Sequence, residues 1–161
     1  MKQRGNLFIL SGPSGVGKGT VRKALFKRHS DNLIYSISAT TRQPRQKEVD
    51  GVDYFFTDKK SFESMIENGE LLEYAQYVDN FYGTPKKWIE EQRDLGKDVF
   101  VEIEVNGAMQ VRAKVPDAIF IFLLPPDLDQ LKNRLILRGT EDDSVINERL
   151  STARQEIRMM T

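Results

Sequence analysis

The stretch LFILSGPSGVGKGT, residues 7–20, decides the fold. Leu7, Phe8, Ile9 and Leu10 form a continuous apolar run that stops at Ser11-Gly12-Pro13. A strand with one wet face would alternate, so this run predicts a strand covered on both faces of a parallel sheet. From about Gly19 to His29 the positions Val21, Ala24, Leu25 and His29 recur at three- and four-residue spacing among Arg22, Lys23, Lys27 and Arg28, which predicts an amphipathic helix. Between strand and helix, Gly12-Pro13-Ser14-Gly15-Val16-Gly17-Lys18-Gly19-Thr20 matches the phosphate-binding pattern G-x-x-x-x-G-K in the context the pattern requires. Its glycines let successive amide N–H groups turn inward toward phosphate oxygens, the helix N-terminus adds its dipole, and Lys18 supplies a full charge for the β- and γ-phosphates. Gly19 stands where the pattern has the Ser or Thr that ligates Mg²⁺, and the nearest hydroxyl is Thr20, so direct ligation of a metal by this loop is disfavoured.

Outward from this unit the same alternation continues. Val99–Val105 and Ala118–Leu124 read as further apolar strands, with a short helix over Gly107–Lys114 between them. After Pro125-Pro126, Leu128, Leu131, Leu135 and Ile136 keep helical spacing to Arg138-Gly139, a suitable helix end. Thr140 with Asp143 resembles a capping box opening a last helix that carries Val145, Ile146, Leu150, Ala153, Ile157 and Met160. From about Ser36 to Tyr82, aromatic and apolar residues alternate with polar ones, as in Leu71-Leu72-Glu73-Tyr74-Ala75-Gln76-Tyr77, which predicts short antiparallel strands. A short helix through Phe62, Met65 and Ile66 ends at Asn68-Gly69, and Thr84-Pro85 opens another, with Pro85 at its first position, that runs to Gly96. The expected architecture is α/β: a parallel core with a small mixed lobe inserted into it.

Composition narrows the function. The 161 residues suit one domain. Twenty-four Lys and Arg balance 24 Asp and Glu, which disfavours a nucleic-acid binder or a polybasic membrane anchor. With no cysteine and one histidine, His29, a disulfide framework, a thiolate or His-pair metal site and a thiol nucleophile are excluded. The longest apolar run, Ala118 to Leu124, is far short of the roughly 20 residues that cross a bilayer, and MKQRGNLFIL lacks the marks of a signal peptide. The expectation is a cytoplasmic single-domain protein.

A phosphate loop names a nucleotide but not a reaction. Ser38-Ala39-Thr40-Thr41-Arg42-Gln43-Pro44-Arg45-Gln46-Lys47 carries three cations and no acid, so Arg42 and Arg45 could present two guanidinium forks to one phosphate, or the run could be a solvated basic loop. Its neighbours decide. GPSGVGKGT, SISATTRQPRQKEVDGVDYFF, GELLEYAQY, NFYGTP, VEIEVNGA and LILRGTED follow one another through nearly the whole chain, and in that order they resemble the guanylate kinases. The resemblance implies a P-loop NTPase core, about 1–35 and 96–161, a GMP-binding lobe at about 36–95 and a lid at about 138–150. It implies transfer of the γ-phosphoryl of ATP to GMP, with Mg²⁺ held mainly by ATP phosphates and water. It also implies a further strand and helix beyond this ending, completing the core and contacting adenine.

On the same resemblance, Arg42 and Arg45 grip the GMP phosphate together with Tyr54 and Tyr82, and Ser38, Glu73 and Thr84 read the base with Glu102 and Glu104 nearby. The loop Gly12–Thr20 with Lys18, Arg134 and Arg138 holds ATP, while Lys18, Arg42, Arg138 and Arg149 stabilise the transfer. The base chemistry is independently sound. Guanine offers N1–H and an N2 amine as adjacent donors, to which a carboxylate is complementary, whereas adenine leaves that carboxylate facing a lone pair. Glu102 and Glu104, two apart, are expected on one face of the strand at 99–105. Two other readings stand beside this one: a silent guanylate-kinase-like domain that holds a phosphorylated peptide, against which the unbroken loop and Lys18 argue, and a nucleoside monophosphate kinase of different base choice.

Overall fold

A computed structural model describes residues 3–29, 31–137, 139 and 142–160. It has two sheets. The first is the core, in the order β2 (Leu33–Tyr35), β7 (Asp98–Glu102), β1 (Leu7–Ser11) and β8 (Ile119–Phe122), with every pair parallel. The helices α1 (Lys18–Arg28), α3 (Lys86–Asp94), α4 (Val105–Lys114), α5 (Leu128–Leu137) and α6 (Asp143–Met160) accompany it. The second sheet, with α2 (Lys59–Glu67), forms the lobe in the order β4 (Phe55–Phe56), β3 (Ala39–Thr40), β6 (Asn80–Pro85) and β5 (Leu71–Tyr77). The α/β architecture expected from residues 7–20 is the one observed.

Leu7, Ile9, Val99 and Val101 are buried in one cluster with Val111 of α4 and Ile89 of α3, so the apolar run of β1 is covered as a central parallel strand should be. Strand β8 lies at the sheet edge, where Ile119 and Ile121 remain 42% and 43% exposed. A separate cluster of Leu131, Leu135, Ile146, Leu150 and Ala153 joins α5 to α6. No helix among the described residues is long and apolar enough to cross a membrane.

Several local expectations change. Strand β7 stops at Glu102 because α4 begins at Val105, which takes Glu104 off the strand: it caps α4 (φ −70°, ψ 163°) and shares no strand face with Glu102. The strands of the lobe are not all antiparallel. Strand β4 returns across the long segment 41–54 to run parallel to β3, while β3–β6 and β5–β6 are antiparallel. Pro85 ends β6 and is the N-cap of α3 (φ −65°, ψ 121°), one place before the position expected. Helix α1 meets the sheet through Phe26, which packs edge-on against Tyr35 and Phe100, and leaves Val21, Ala24 and His29 exposed. Thr140 of the expected capping box lies outside the described residues.

One buried cation ties α3 to the segments that lead into β1 and β8. Arg93 is 3% exposed. Its Nε donates to Gly5 O at 3.0 Å, its Nη2 lies 2.5 Å from Asp117 and its Nη1 3.3 Å from Glu90, while Arg4 pairs with Glu90 and Asp94 on the outside. Arg93→Met keeps the apolar stem but takes the donor from the Gly5 carbonyl and one partner each from Asp117 and Glu90, which keeps Arg4. It is expected to cost about 2–3 kcal/mol, below the full penalty for a buried pair because Asp117 keeps contact with water. Urea unfolding of variant and parent checks this; equal midpoints would contradict it.

Candidate active site

The loop between β1 and α1 takes the geometry its glycines allow. Gly17, the N-cap of α1, sits at φ 108°, ψ 22°, in the left-handed region that L side chains avoid. At Gly12 a Cβ would lie 2.5 Å from Leu123 O, so the chain there passes directly against the end of β8. Lys18 is buried, and its Nζ donates to Gly12 O at 2.7 Å and Pro13 O at 3.2 Å, with Glu104 Oε2 at 3.6 Å. The ammonium is thus aimed back across the loop, where an anion held by the loop would meet it. Two further guanidiniums dock on the loop from the outer helices. Arg134 of α5 donates to Val16 O at 2.8 Å, and Arg149 of α6 to Ser14 Oγ at 3.4 Å. Arg138 lies outside the described residues, as do Thr140 and Glu141. Of the segment between α5 and α6, Gly139 is described, at φ 66°.

Beside the loop, a cleft of about 770 Å³ opens between core and lobe. Ser38, Tyr54, Glu73, Tyr82, Glu102 and Glu104 line it, so six residues singled out in the sequence meet in one place. The hollow around Lys18, about 360 Å³, is lined by Ser14, Thr20, Glu102 and Glu104 among others. Glu102 and Glu104 therefore stand in both walls, and the two hollows adjoin.

Glu73 is the most constrained of these groups. It is 7% exposed, and Thr84 Oγ1 donates to its Oε1 at 2.5 Å. Thr84 is fully buried and stands behind the carboxylate instead of lining the cleft. Burial pushes the Glu73 carboxyl above the ordinary carboxylate range, against the opposing pull of the Thr84 hydroxyl and the Lys114 charge. A solvent-facing acid on a half-buried strand, the default for its sequence position, is not what forms. Between the pairs Leu71–Pro85 and Tyr74–Gly83, β5 contributes Leu72 and Glu73 where β6 contributes only Thr84. This bulge breaks the alternation and turns Glu73 inward.

Arg42 and Arg45 stand outside the cleft lining. The Arg42 fork takes Glu48 in two bonds of 3.0 Å each, and Glu48 also accepts from Arg45 N at 2.6 Å. These contacts, the Arg42 guanidinium first, hold the Glu48 carboxyl below its usual range. The Arg42 guanidinium carbon lies 5.3 Å from the Tyr54 ring centre, and Tyr54 meets Tyr82 edge-on at 6.2 Å. One carboxylate thus holds the Arg42 fork beside Tyr54 and fixes the backbone at Arg45. Glu48 was missed in the sequence, although its place three residues after Arg45 in the same loop was the signal for it. Arg22 was also missed: its Nε pairs with Glu102 Oε2 at 3.2 Å and its guanidinium lies 4.5 Å from the Tyr35 ring centre. That contact is an ion pair lacking hydrogen-bond geometry, so Glu102 Oε2 is buried without a hydrogen-bond donor.

A family model described as guanylate kinase matches residues 4–160. The chain belongs to the guanylate kinase family. It is 61% identical to the guanylate kinase of Enterococcus faecalis over 99% of this chain and 78% of that protein, and 57% identical to that of Bacillus subtilis over the same shares. The crystal structure of guanylate kinase from Anaplasma phagocytophilum matches with a TM-score of 0.67 at 32% identity, over 97% of this chain and 72% of that one. As a guanylate kinase family member the chain is an enzyme, a phosphotransferase. The P-loop architecture read from residues 7–20 is the family's.

Proposed function

We propose that the enzyme transfers the γ-phosphoryl group of ATP to GMP, giving ADP and GDP, in the cytoplasm and within a single domain whose lobe, about 36–95, receives GMP. The observation that carries this reading is the shared wall: the hollow around Lys18 and the cleft holding Glu73 both end at Glu102 and Glu104. A terminal phosphate in one is therefore within reach of an acceptor in the other. In this reading Gly12–Thr20 and Arg134 hold ATP, and Arg42, Arg45, Tyr54 and Tyr82 hold the GMP phosphate. Ser38 and Glu73 meet guanine, with Thr84 orienting Glu73.

Phosphoryl transfer asks a protein mainly for alignment and for positive charge on the moving group. Lys18, Arg42 and Arg149 supply that charge here, with Arg138 assigned to the same task. Charge placed before the reaction begins needs no reorganisation as the transition state forms. Mg²⁺ fits this hollow as a guest of the ATP phosphates: Thr20, Glu102 and Glu104 line it and carry oxygens suited to its water shell. When bound it neutralises phosphate charge.

ADP release measured with GMP, AMP, CMP and UMP in turn tests the proposal. GMP is expected to exceed each of the others by at least about a hundredfold in kcat/KM, the size expected when a buried carboxylate is left unpaired. A better rate with AMP or a pyrimidine nucleotide would replace the base assignment. No turnover with any acceptor would remove the reaction and leave a phosphate-gripping binding domain.

A further inference from the structure

Glu73 does not hold itself in place. The bulge that turns it inward lies on β5, an edge strand whose outward N–H and C=O groups have no neighbouring strand, and such a strand is free to slip or straighten unless something pairs with it. Helix α4 supplies the partner. The Gln110 side-chain amide accepts from Tyr74 N through Oε1 at 3.2 Å and donates through Nε2 to Tyr74 O at 3.0 Å. It thereby reproduces with one side chain the double bond of a strand neighbour. One turn further, Lys114 Nζ donates to Leu71 O at 3.0 Å. At the other end of the same helix face, the approach of Gly107 is so close that a methyl there would sit 2.8 Å from Glu73 Oε2. Gly107, Gln110 and Lys114, three and four residues apart, form one stripe along α4, and it meets β5 at Glu73, Tyr74 and Leu71.

We propose that Gln110 is a positioning residue for base selection. Its amide clamps the backbone next to the bulge, so that the Glu73 carboxylate is held at a fixed depth between Thr84 and the first turn of α4. The inference rests on the reading that Glu73 meets guanine. If so, Gln110 acts on the contact with the N2 amine without touching the nucleotide. Without the clamp the bulge relaxes, the carboxylate loses its angle to two adjacent donors, and the nucleotide that needs both suffers most. The comparison nucleotide is IMP, which keeps N1–H and O6 and lacks the N2 amine.

The experiment measures kcat and KM for GMP, IMP and ATP in the parent, Gln110→Leu, Gln110→Glu and Glu73→Gln enzymes, with thermal unfolding of each. Gln110→Leu is expected to raise KM for GMP about tenfold and shrink the GMP-over-IMP preference by a similar factor, while KM for ATP moves less than twofold. Gln110→Glu keeps the shape and the acceptor for Tyr74 N–H but faces a carbonyl with a carboxylate. It is expected to show the same loss of preference and covers the case in which the leucine variant does not fold. An unchanged GMP-over-IMP ratio in the folded variants, or parallel losses for GMP and ATP, overturns the assignment and leaves Gln110 a structural tie. The Glu73→Gln arm separates the two readings. If it leaves the ratio unchanged, the guanine assignment of Glu73 itself fails. If it collapses the ratio and the Gln110 variants do not, only the present inference fails.

Discussion

Lys18→Ala is expected to lower kcat about a hundred- to thousandfold while KM for GMP changes less than about twofold. The ammonium sits in the hollow of the phosphate loop, buried and held to Gly12 O and Pro13 O, whereas none of the groups assigned to the GMP phosphate or to guanine depends on it. Its loss removes a charge placed against the γ-phosphoryl and leaves the acceptor grip intact. Steady-state kinetics with GMP and ATP varied independently provide the check. Equal kcat in variant and parent would dismiss the phosphate loop as the donor site, and a large rise in KM for GMP would place Lys18 in the acceptor site instead.

Glu73→Gln is expected to reduce kcat/KM for GMP about a hundred- to ten-thousandfold, because an amide N–H then opposes one of guanine's two donors at a largely buried side chain. The pH dependence follows from burial. The native carboxyl ionises above the ordinary carboxylate range, and only its ionised form accepts from both donors. KM for GMP in the parent should therefore rise as pH falls through that raised value, and the glutamine variant should show no such rise.

Stability moves the other way. Between the ordinary and the raised value the folded state binds more protons at this position than the unfolded chain, so Glu73 makes folding less favourable as pH rises through that window. Glu73→Gln removes this penalty. The variant should melt at a higher temperature than the parent near neutral pH, and the difference should vanish below the ordinary carboxylate range. A lower melting temperature at neutral pH would mean that Glu73 is favourably paired and not strained by burial.

What could be read from the sequence was whatever depends on neighbours along the chain. The loop at residues 12–20 is specified by spacing, and the burial of β1 by four consecutive apolar residues, so both survive without any knowledge of distant segments. Strand β2, three residues long, was too short to announce itself, and the parallel pairing of β3 with β4 depends on how the segment 41–54 returns. The site shows the same division. Arg42 and Arg45 could be named, but the placement of Glu48 between them belongs to the turn they share. Glu73 could be named, but its burial depends on a count of residues against β6, and so does the place of Thr84 behind it. Glu102 and Glu104 were placed on one strand because period-two spacing carries no mark of where a strand gives way to a helix.

The extra residue in β5 has a genetic corollary. An in-frame loss of the single codon for Leu72 would spare every charged, hydroxyl and aromatic group named above, yet it would give the strand the same number of residues as its partner, take a fully buried leucine from the core and change the depth at which the glutamate stands beside Thr84. On the reading that Glu73 meets guanine, selectivity would rest partly on an arithmetic mismatch between two strands, which an inventory of polar side chains alone does not record.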